Sequence, residues 1–288
     1  MSRSFPFVPA DSERKLARAK ESGADALILD LEDSVAPSAK PLAREAAASV
    51  LAAGGAAELW VRINPLDSKD AREDLAAVMP AGPFGIVLPK PEGALDANQL
   101  AKRLDRLERE HGIGPGFTKI LPIVTERPAA LFRLHEYAEA TGRLAALTWG
   151  AEDLGAAVGA SSTRDADGRW LPPYELARSL SLMAASAAGV PAVDTVFTDY
   201  RDHDGLAAYA ESARRDGFEG MLAIHPDQVP IINDAFRPDS GEVERAQRVV
   251  DAFAANPGAG TLGIDGEMLD RPHLKLAERI LARAARYH

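Results

Sequence analysis

The chain reads as an α/β protein, a closed (β/α)8 TIM barrel with a C-terminal helical arm. Three observations predict this: eight short β-rich runs, consecutive apolar residues within several of them, and helix-like segments between them. The runs are Phe5–Pro9, Ala26–Asp30, Leu59–Ile63, Gly85–Pro89, Lys119–Thr125, Ala145–Trp149, Asp194–Thr198 and Met221–His225. Stretches such as Ala26-Leu27-Ile28-Leu29 and Gly85-Ile86-Val87-Leu88 suit strands covered on both faces, as in a parallel sheet. Eight strands alternating with helices favour closure over an open sheet. Such a barrel takes about 250 residues, so a chain of 288 has room for an extension.

Between the runs, Pro173–Ala188 presents Leu176, Leu180, Met183, Ala184 and Ala187 on one side of a helix, with Gly189 as its C′ stop. Asp96–His111 carries charges at helical spacing. The long connection Glu152–Pro172 reads as a functional loop or surface excursion. Past the eighth run, Gln228–Phe236 and Ser240–Ala255 read as helices, and Pro257–Gly266 is Gly-rich. A last helix starts near Arg271-Pro272, with an apolar stripe of Leu274, Ala277, Ile280, Leu281 and Ala284. The barrel is therefore assigned to residues 1–228 and the arm to 229–288, packing on the barrel or on a neighbouring subunit.

Composition narrows the function. Net charge is −10, and Lys and Arg are scattered among more numerous acids, which argues against a nucleic-acid partner. There is no Cys, so thiolate nucleophiles, disulfides and Cys-ligated metals are out, and a reducing compartment fits. No apolar run approaches a membrane span or a signal peptide, and the expectation is a cytoplasmic protein with no membrane partner. Gly112, Gly114 and Gly116 follow no strand, so they make no dinucleotide fingerprint, and there is no P-loop.

In a (β/α)8 barrel the active site lies at the C-terminal strand ends. Those ends are acidic here: Asp30, Glu32 and Asp33 after the second run, Glu126 after the fifth, Glu152 and Asp153 after the sixth, and Asp199 after the seventh. Any one of these acids can equally be a helix cap. Together at one mouth they repel each other unless a cation sits between them. Oxygen-only ligands point to Mg2+ or Mn2+, and Glu126 and Asp153 come from adjacent strands, so they can share one ion. Arg62 and Asn64 end the third run. The planar fork of Arg62 suits a substrate carboxylate or an enolate oxygen, or a neighbouring acid. Lys90 ends the fourth; it can form a Schiff base but is more often an ion-pair partner. His225, with no second His nearby, reads as a structural hydrogen bonder.

The same strand ends carry a resemblance. Phe7–Asp11 (FVPAD), Leu29–Val35 (LDLEDSV) with Lys40 and Ala43-Arg44, Val61–Asn64 (VRIN) and Val87–Lys90 (VLPK) come first. Ile123–Glu126 (IVTE), Trp149–Leu154 (WGAEDL), Ala187–Asp194 (AAGVPAVD), Ile224–Val229 (IHPDQV), Asn233–Phe236 (NDAF) and Gly266–Pro272 (GEMLDRP) come after them in order. With these motifs the chain resembles the citrate lyase β-subunit-like, or HpcH/HpaI aldolase/citrate lyase, superfamily of CoA ester lyases over almost its whole length. The resemblance implies a barrel with an arm that packs on a neighbour, in a homotrimer. It implies Mg2+ on Glu126 and Asp153, with Arg62 as the substrate-binding arginine. It also implies that Asp270 reaches the adjacent subunit's site as acid/base. Two positions depart from the pattern: Met221 stands where a lysine often precedes the IHP segment, and Leu269 replaces a common isoleucine.

The expected activity is cleavage or formation of a β-hydroxyacyl-CoA of the malyl, citramalyl or citryl type, giving an α-keto acid and an acyl-CoA. In it Glu126 and Asp153 hold the ion, Glu126 also faces the substrate, and Arg62 stabilises developing negative charge. Asp270 moves the proton, while Glu32 and Asp33 orient the ion's waters. Arg14, Lys15 and Lys40 are candidates for the CoA phosphates. The alternatives are a keto-acid aldolase that does not use CoA, including one acting through Lys90, and a β-type subunit of an acyl-carrier citrate lyase complex.

Overall fold

The computed structural model describes residues 2–287, and the chain divides into two compact units, Met1–Asn233 and Asp234–His288. The first is a barrel of eight parallel strands: β1 (Ser4–Pro9), β2 (Ala26–Asp30), β3 (Glu58–Arg62), β4 (Gly85–Leu88), β5 (Lys119–Pro122), β6 (Leu147–Thr148), β7 (Ala192–Asp194) and β8 (Gly220–Ala223). β1 pairs with both β2 and β8, for instance Phe7 with Ile28 and Phe5 with Leu222. Closure between β5 and β6 rests on single bridges, Ile120 to Leu144 and Ile123 to Thr148, with Val124 N donating to Thr148 O at 2.8 Å. The helices are α1 (Glu13–Lys20), α2 (Lys40–Ala53), α3 (Lys69–Val78), α4 (Ala94–His111), α5 (Ala151–Val158), α6 (Pro172–Ala187), α7 (His203–Asp216) and α8 (Gln228–Ala235). A 3-10 helix, Pro128–Glu139, takes the place of a helix after β5.

The barrel interior is filled by Phe5, Ile28, Trp60, Val87, Leu121, Ile123, Val193 and Leu222. Trp60 sets the local geometry, with its ring edge-on to Phe5 at 6.3 Å and tilted on Phe84 at 5.3 Å. A Cβ at Gly85 would fall 2.3 Å from the Trp60 ring, so the neighbouring strand must be bare at that point. Among the described residues no helix is long and apolar enough to cross a membrane.

Four expectations need correcting. The seventh strand is Ala192–Asp194, not Asp194–Thr198, so its buried end is Asp194 and Asp199 lies in an exposed turn where it accepts from Arg201 N at 3.2 Å. The apolar run Val196-Phe197 imitates a strand but, among the described residues, lies outside every strand pairing of the sheet. Secondly, α6 buries Tyr174, Ala177, Ser181, Ala184 and Ala185, whereas Leu176, Leu180 and Met183 are 58%, 37% and 64% exposed. Small residues let this helix approach the Pro128–Glu139 segment, β6 and β7 closely, and that packing outweighs the larger apolar stripe. Thirdly, the connection after Glu152 is not all loop, because α5 occupies its first part.

The fourth correction concerns the second unit. It contains α9 (Ser240–Ala255), a hairpin of β9 (Thr261–Ile264) and β10 (Glu267–Asp270), and α10 (Arg271–Ala284), so the arm is not purely helical. The Gly-rich stretch hides that hairpin, and its two-residue turn is Asp265-Gly266, both at positive φ, the pair a type I′ turn favours. The α10 stripe has its own partner: Ala277 is buried with Ala246, Val249 and Phe253 of α9 and with Leu269, and Leu274, Ile280 and Leu281 pack around them.

Candidate active site

Residues at or just after most of the strand ends converge on one cavity of about 770 Å³ at the C-terminal mouth, lined by Phe7, Asp30, Arg62, Glu126, Trp149 and Asp153 among others. Arg62 ends β3 and forms a two-pronged pair with Asp30 at the end of β2, Nε to Oδ1 at 2.7 Å and Nη2 to Oδ2 at 2.6 Å. Asp30 is fully buried, and burial alone would raise its pKa; the guanidinium overrides this and holds the carboxyl below its usual range. Arg62 rests on the Phe7 ring at 4.5 Å. Its remaining nitrogen, Nη1, lies 3.1 Å from Glu32 Oε2 but off the direction a hydrogen bond needs, so that buried oxygen has no donor among the described residues.

Lys90 follows β4 at φ 50, a left-handed conformation that costs an L residue strain. The turn aims its backbone N–H at Glu126 Oε2, 2.5 Å away. Its ammonium sits among three acids: Glu32 at 2.7 Å, Asp33 at 2.7 Å and Asp153 at 3.3 Å. Those charges push the lysine pKa up in spite of its partial burial. Lys90 is thus an ion-pair partner.

Glu126 is the tense member. It is 4% exposed, and its pKa is raised well above the carboxylate range, first by burial and then by the charges of Glu32 and Asp153. Glu32 is raised too, again chiefly by burial. Glu32, Asp33, Glu126 and Asp153 therefore share too little positive charge, and a lysine ammonium already fills the spot between three of them. That donor set fits a hard divalent cation, which oxygen ligands hold with one or two carboxylates and water. Among the described residues no three such side chains stand ready-arranged around a common point, and a two-carboxylate site does not require them.

Below the acids a second network holds the β2–α2 loop. Asn64 donates to Leu31 O at 2.9 Å and to Asp74 Oδ2 at 2.7 Å, while Asp74 Oδ1 takes Arg44 Nε at 2.7 Å. Lys40 bonds Asn64 Oδ1 and Leu31 O, so it is spent on this loop and is not a phosphate contact; Arg14 and Lys15 do line the cavity. His225 stacks on Tyr200 at 4.7 Å on the cavity rim, and its Nδ1 accepts from Asp227 N at 3.2 Å, a structural role. Glu152 lies in the first turn of α5 and lines the cavity. Asp270 belongs to the second unit, where it ends β10 ahead of α10, half-exposed, with Oδ1 2.6 Å from His273 Nδ1. Sequence reasoning missed Asp74 and Asp194 as organising residues, because an acid inside a helix or after a strand looks like any solvated acid. Only Asp194 fell within a family-like motif.

Comparison with known proteins matches this geometry to a family. The sequence profile described as HpcH/HpaI aldolase/citrate lyase matches residues 3–226, and one described as C-C_Bond_Lyase of the TIM-Barrel fold matches 176–288. The citrate lyase subunit beta of Escherichia coli (strain K12) is 35% identical over 286 residues, covering 98% of this chain and 93% of that protein. The (3S)-malyl-CoA thioesterase of Cereibacter sphaeroides (strain ATCC 17025 / ATH 2.4.3) is 32% identical over 289 residues, covering 98% and 94%. Among solved structures, protein CitE from Mycobacterium tuberculosis in complex with magnesium, acetoacetate and coenzyme A superposes with a TM-score of 0.79 at 35% identity, covering 98% of each chain. The citrate lyase beta subunit of M. tuberculosis complexed with oxaloacetate and magnesium gives a TM-score of 0.69 at 35% identity, covering 82% of this chain and 96% of that one. By sequence over nearly its full length and by fold, the chain belongs to the HpcH/HpaI aldolase/citrate lyase family of carbon–carbon lyases.

Proposed function

We propose that the protein is a Mg2+-dependent lyase that cleaves or forms a β-hydroxyacyl-CoA of the malyl, citramalyl or citryl type. The observation that carries this reading is the under-compensated ring of acids at the barrel mouth, with Glu126 raised by burial and by Glu32 and Asp153. Relatives whose structures hold magnesium with a keto acid or with coenzyme A support it.

In this reading Glu126 and Asp153 hold the ion. When bound, Mg2+ would supply Lewis-acid polarisation of the keto acid's oxygens. Glu32 and Asp33, held by the Lys90 ammonium, would stand beside the ion as hydrogen-bond acceptors. In the cleavage direction, the proton leaves the β-hydroxyl as the bond between the α and β carbons breaks. The electron pair passes to the thioester, where the Nη1 edge of Arg62, which faces Glu32 without a hydrogen bond, meets the enolate oxygen. Asp30 keeps that guanidinium charged and in place. Asp270 from a neighbouring copy in a homotrimer carries the proton to the enolate carbon. The thioester's CoA end leaves by the cavity edge that Arg14 and Lys15 line. A cytoplasmic location agrees with a chain free of Cys.

An imine route on Lys90 is the weaker alternative. Schiff-base lysines work as neutral amines with lowered pKa, whereas this ammonium is gripped by three acids and pushed up. The test is lyase assay of the purified chain on malyl-, citramalyl- and citryl-CoA, with EDTA and re-added Mg2+. Turnover of at least one ester that EDTA abolishes and Mg2+ restores is expected. EDTA-resistant activity with borohydride trapping of pyruvate would replace this reading with the imine route. Turnover confined to acyl-carrier thioesters would make the chain a subunit of a larger lyase.

A further inference from the structure

The acid at the end of β7, Asp194, lies outside the ring of carboxylates that lines the cavity, yet it is fully buried and fully engaged. Its Oδ1 accepts from Trp149 Nε1 at 2.6 Å, from Thr195 N at 2.8 Å and from Tyr209 OH at 3.1 Å. Its Oδ2 pairs with Arg178, Nε at 2.9 Å and Nη2 at 2.8 Å. A buried carboxylate with one cation and three further donors is locked in place, because losing any partner leaves charge unsatisfied in a dry interior.

What it locks is the turn that leads to Asp153. β6 is only two residues long, so its ladder restrains little of the chain beyond it. Trp149 comes next, itself fully buried, and then Gly150 and the first turn of α5 with Glu152 and Asp153. Two side-chain devices hold this turn. One is the indole N–H on Asp194. The other is Thr125, whose hydroxyl accepts from Gly150 N at 3.1 Å and lies 3.2 Å from Gly150 O. There is little slack on the Glu126 side, since a Cβ at Gly150 would stand 3.0 Å from Glu126 Cγ. Displacing the turn therefore alters the spacing between Glu126 and Asp153.

We propose that Asp194 is a positioning residue for the cation site: through the Trp149 indole it sets the separation of Glu126 and Asp153. The proposal rests on the reading that those two residues bind Mg2+. Asp194 does not line the cavity, whereas Trp149 and Thr195, which it holds, both do. Tyr209 supplies the internal comparison. It donates to the same Oδ1 from α7 and accepts from Trp170 Nε1 at 3.2 Å, so it makes no hydrogen bond to the turn and reaches it only through the edge-on packing of Trp170 on Trp149 at 5.1 Å.

The experiment compares the intact protein with Trp149→Phe and Tyr209→Phe, reading Mg2+ affinity by calorimetry and Tm by thermal melt. Benzothienylalanine at position 149, which exchanges only the N–H for sulfur, replaces Trp149→Phe should that variant not fold. Loss of a group that orients a metal ligand typically weakens metal binding about 10- to 100-fold. About a tenfold weaker Mg2+ affinity is expected for the Trp149 variant and less than about twofold for Tyr209→Phe, with similar falls in Tm. Lyase activity of the Trp149 variant should recover as Mg2+ is raised. Equal Mg2+ affinity in all three proteins overturns the positioning role while leaving the metal reading intact. Equal weakening in both variants overturns it too, since that is general loosening. No Mg2+ binding by the unaltered protein overturns the metal reading and this proposal with it.

Discussion

Glu108 and Glu126 flank the same strand, β5, and are buried to nearly the same degree, 1% and 4% exposed, but their surroundings push them in opposite directions. Glu108, below the strand, accepts from Gly116 N and Thr118 N at 2.9 Å each and pairs with Arg143 at 2.5 Å. Burial works against its charged form, yet Arg143 and the two amides bring its pKa down to about 2. Glu126, above the strand, has one backbone N–H and two like-charged neighbours, and its pKa rises. The contrast extends around the barrel. At the floor, Arg3 pairs with Asp25 at 2.8 Å and Ser2 donates to Glu58 at 2.8 Å. At the mouth, Glu32 Oε2 has no donor and Lys90 holds a strained backbone. A fold that can satisfy its buried acids so fully at one end has left the other end short of positive charge, and such shortfall clusters where chemistry is done.

Substitutions separate the two ends, and the largest effect belongs to the mouth. Glu126→Gln is expected to lower kcat/KM about a thousandfold, through loss of the proposed metal ligand, while Tm holds or rises because a buried carboxylate beside Glu32 and Asp153 is gone. Steady-state kinetics beside a thermal melt checks this, and a large fall in Tm would contradict the assignment. Arg62→Lys is expected to cost about a hundredfold in activity and to lower Tm as well, since an ammonium cannot reproduce the two-pronged pair with the buried Asp30.

At the floor the expected loss is stability. Glu108→Gln should cost about 3 kcal/mol at neutral pH in chemical denaturation, with activity per folded molecule unchanged. Its folded pKa, about 2, lies below the ordinary 4.5. The stabilisation is therefore fully present above pH 4.5 and fades as pH falls through about 2, so the two proteins should converge in acid. Gly85→Ala should cost about 1–3 kcal/mol by forcing a methyl against the Trp60 ring. The smallest effect is expected on the outer surface. Arg106→Ala breaks an exposed pair with Glu110 at 3.3 Å and should shift stability by less than about 0.5 kcal/mol.

The barrel was legible because parallel strands buried on both faces write themselves as unbroken apolar runs, and Ala26–Asp30 matches its strand residue for residue. The seventh strand was misplaced because Val196-Phe197 supplies equal apolarity a few residues later, and only pairing with β8 decides between them. Of the apolar side predicted for α6 only Ala184 is buried; the rest of the buried face escaped because it includes Ala177, Ser181 and Ala185, which no hydrophobicity pattern ranks above Leu180 and Met183. At the site, Arg62, Glu126 and Asp153 were readable from their places after strands. The pairing of Arg62 with Asp30 and the clamp of Asp194 on Trp149 were not, because each joins residues far apart in sequence and depends on which strands become neighbours.

The chemistry proposed for the barrel mouth depends on a divalent ion shared by Glu126 and Asp153. The direct measurement is anomalous scattering from a crystal soaked with Mn2+ and oxaloacetate. The expected result is one strong peak about 2.1 Å from an oxygen of each carboxylate, with the Arg62 guanidinium still on Asp30. A peak elsewhere, or none with Lys90 still on Asp153, would contradict it.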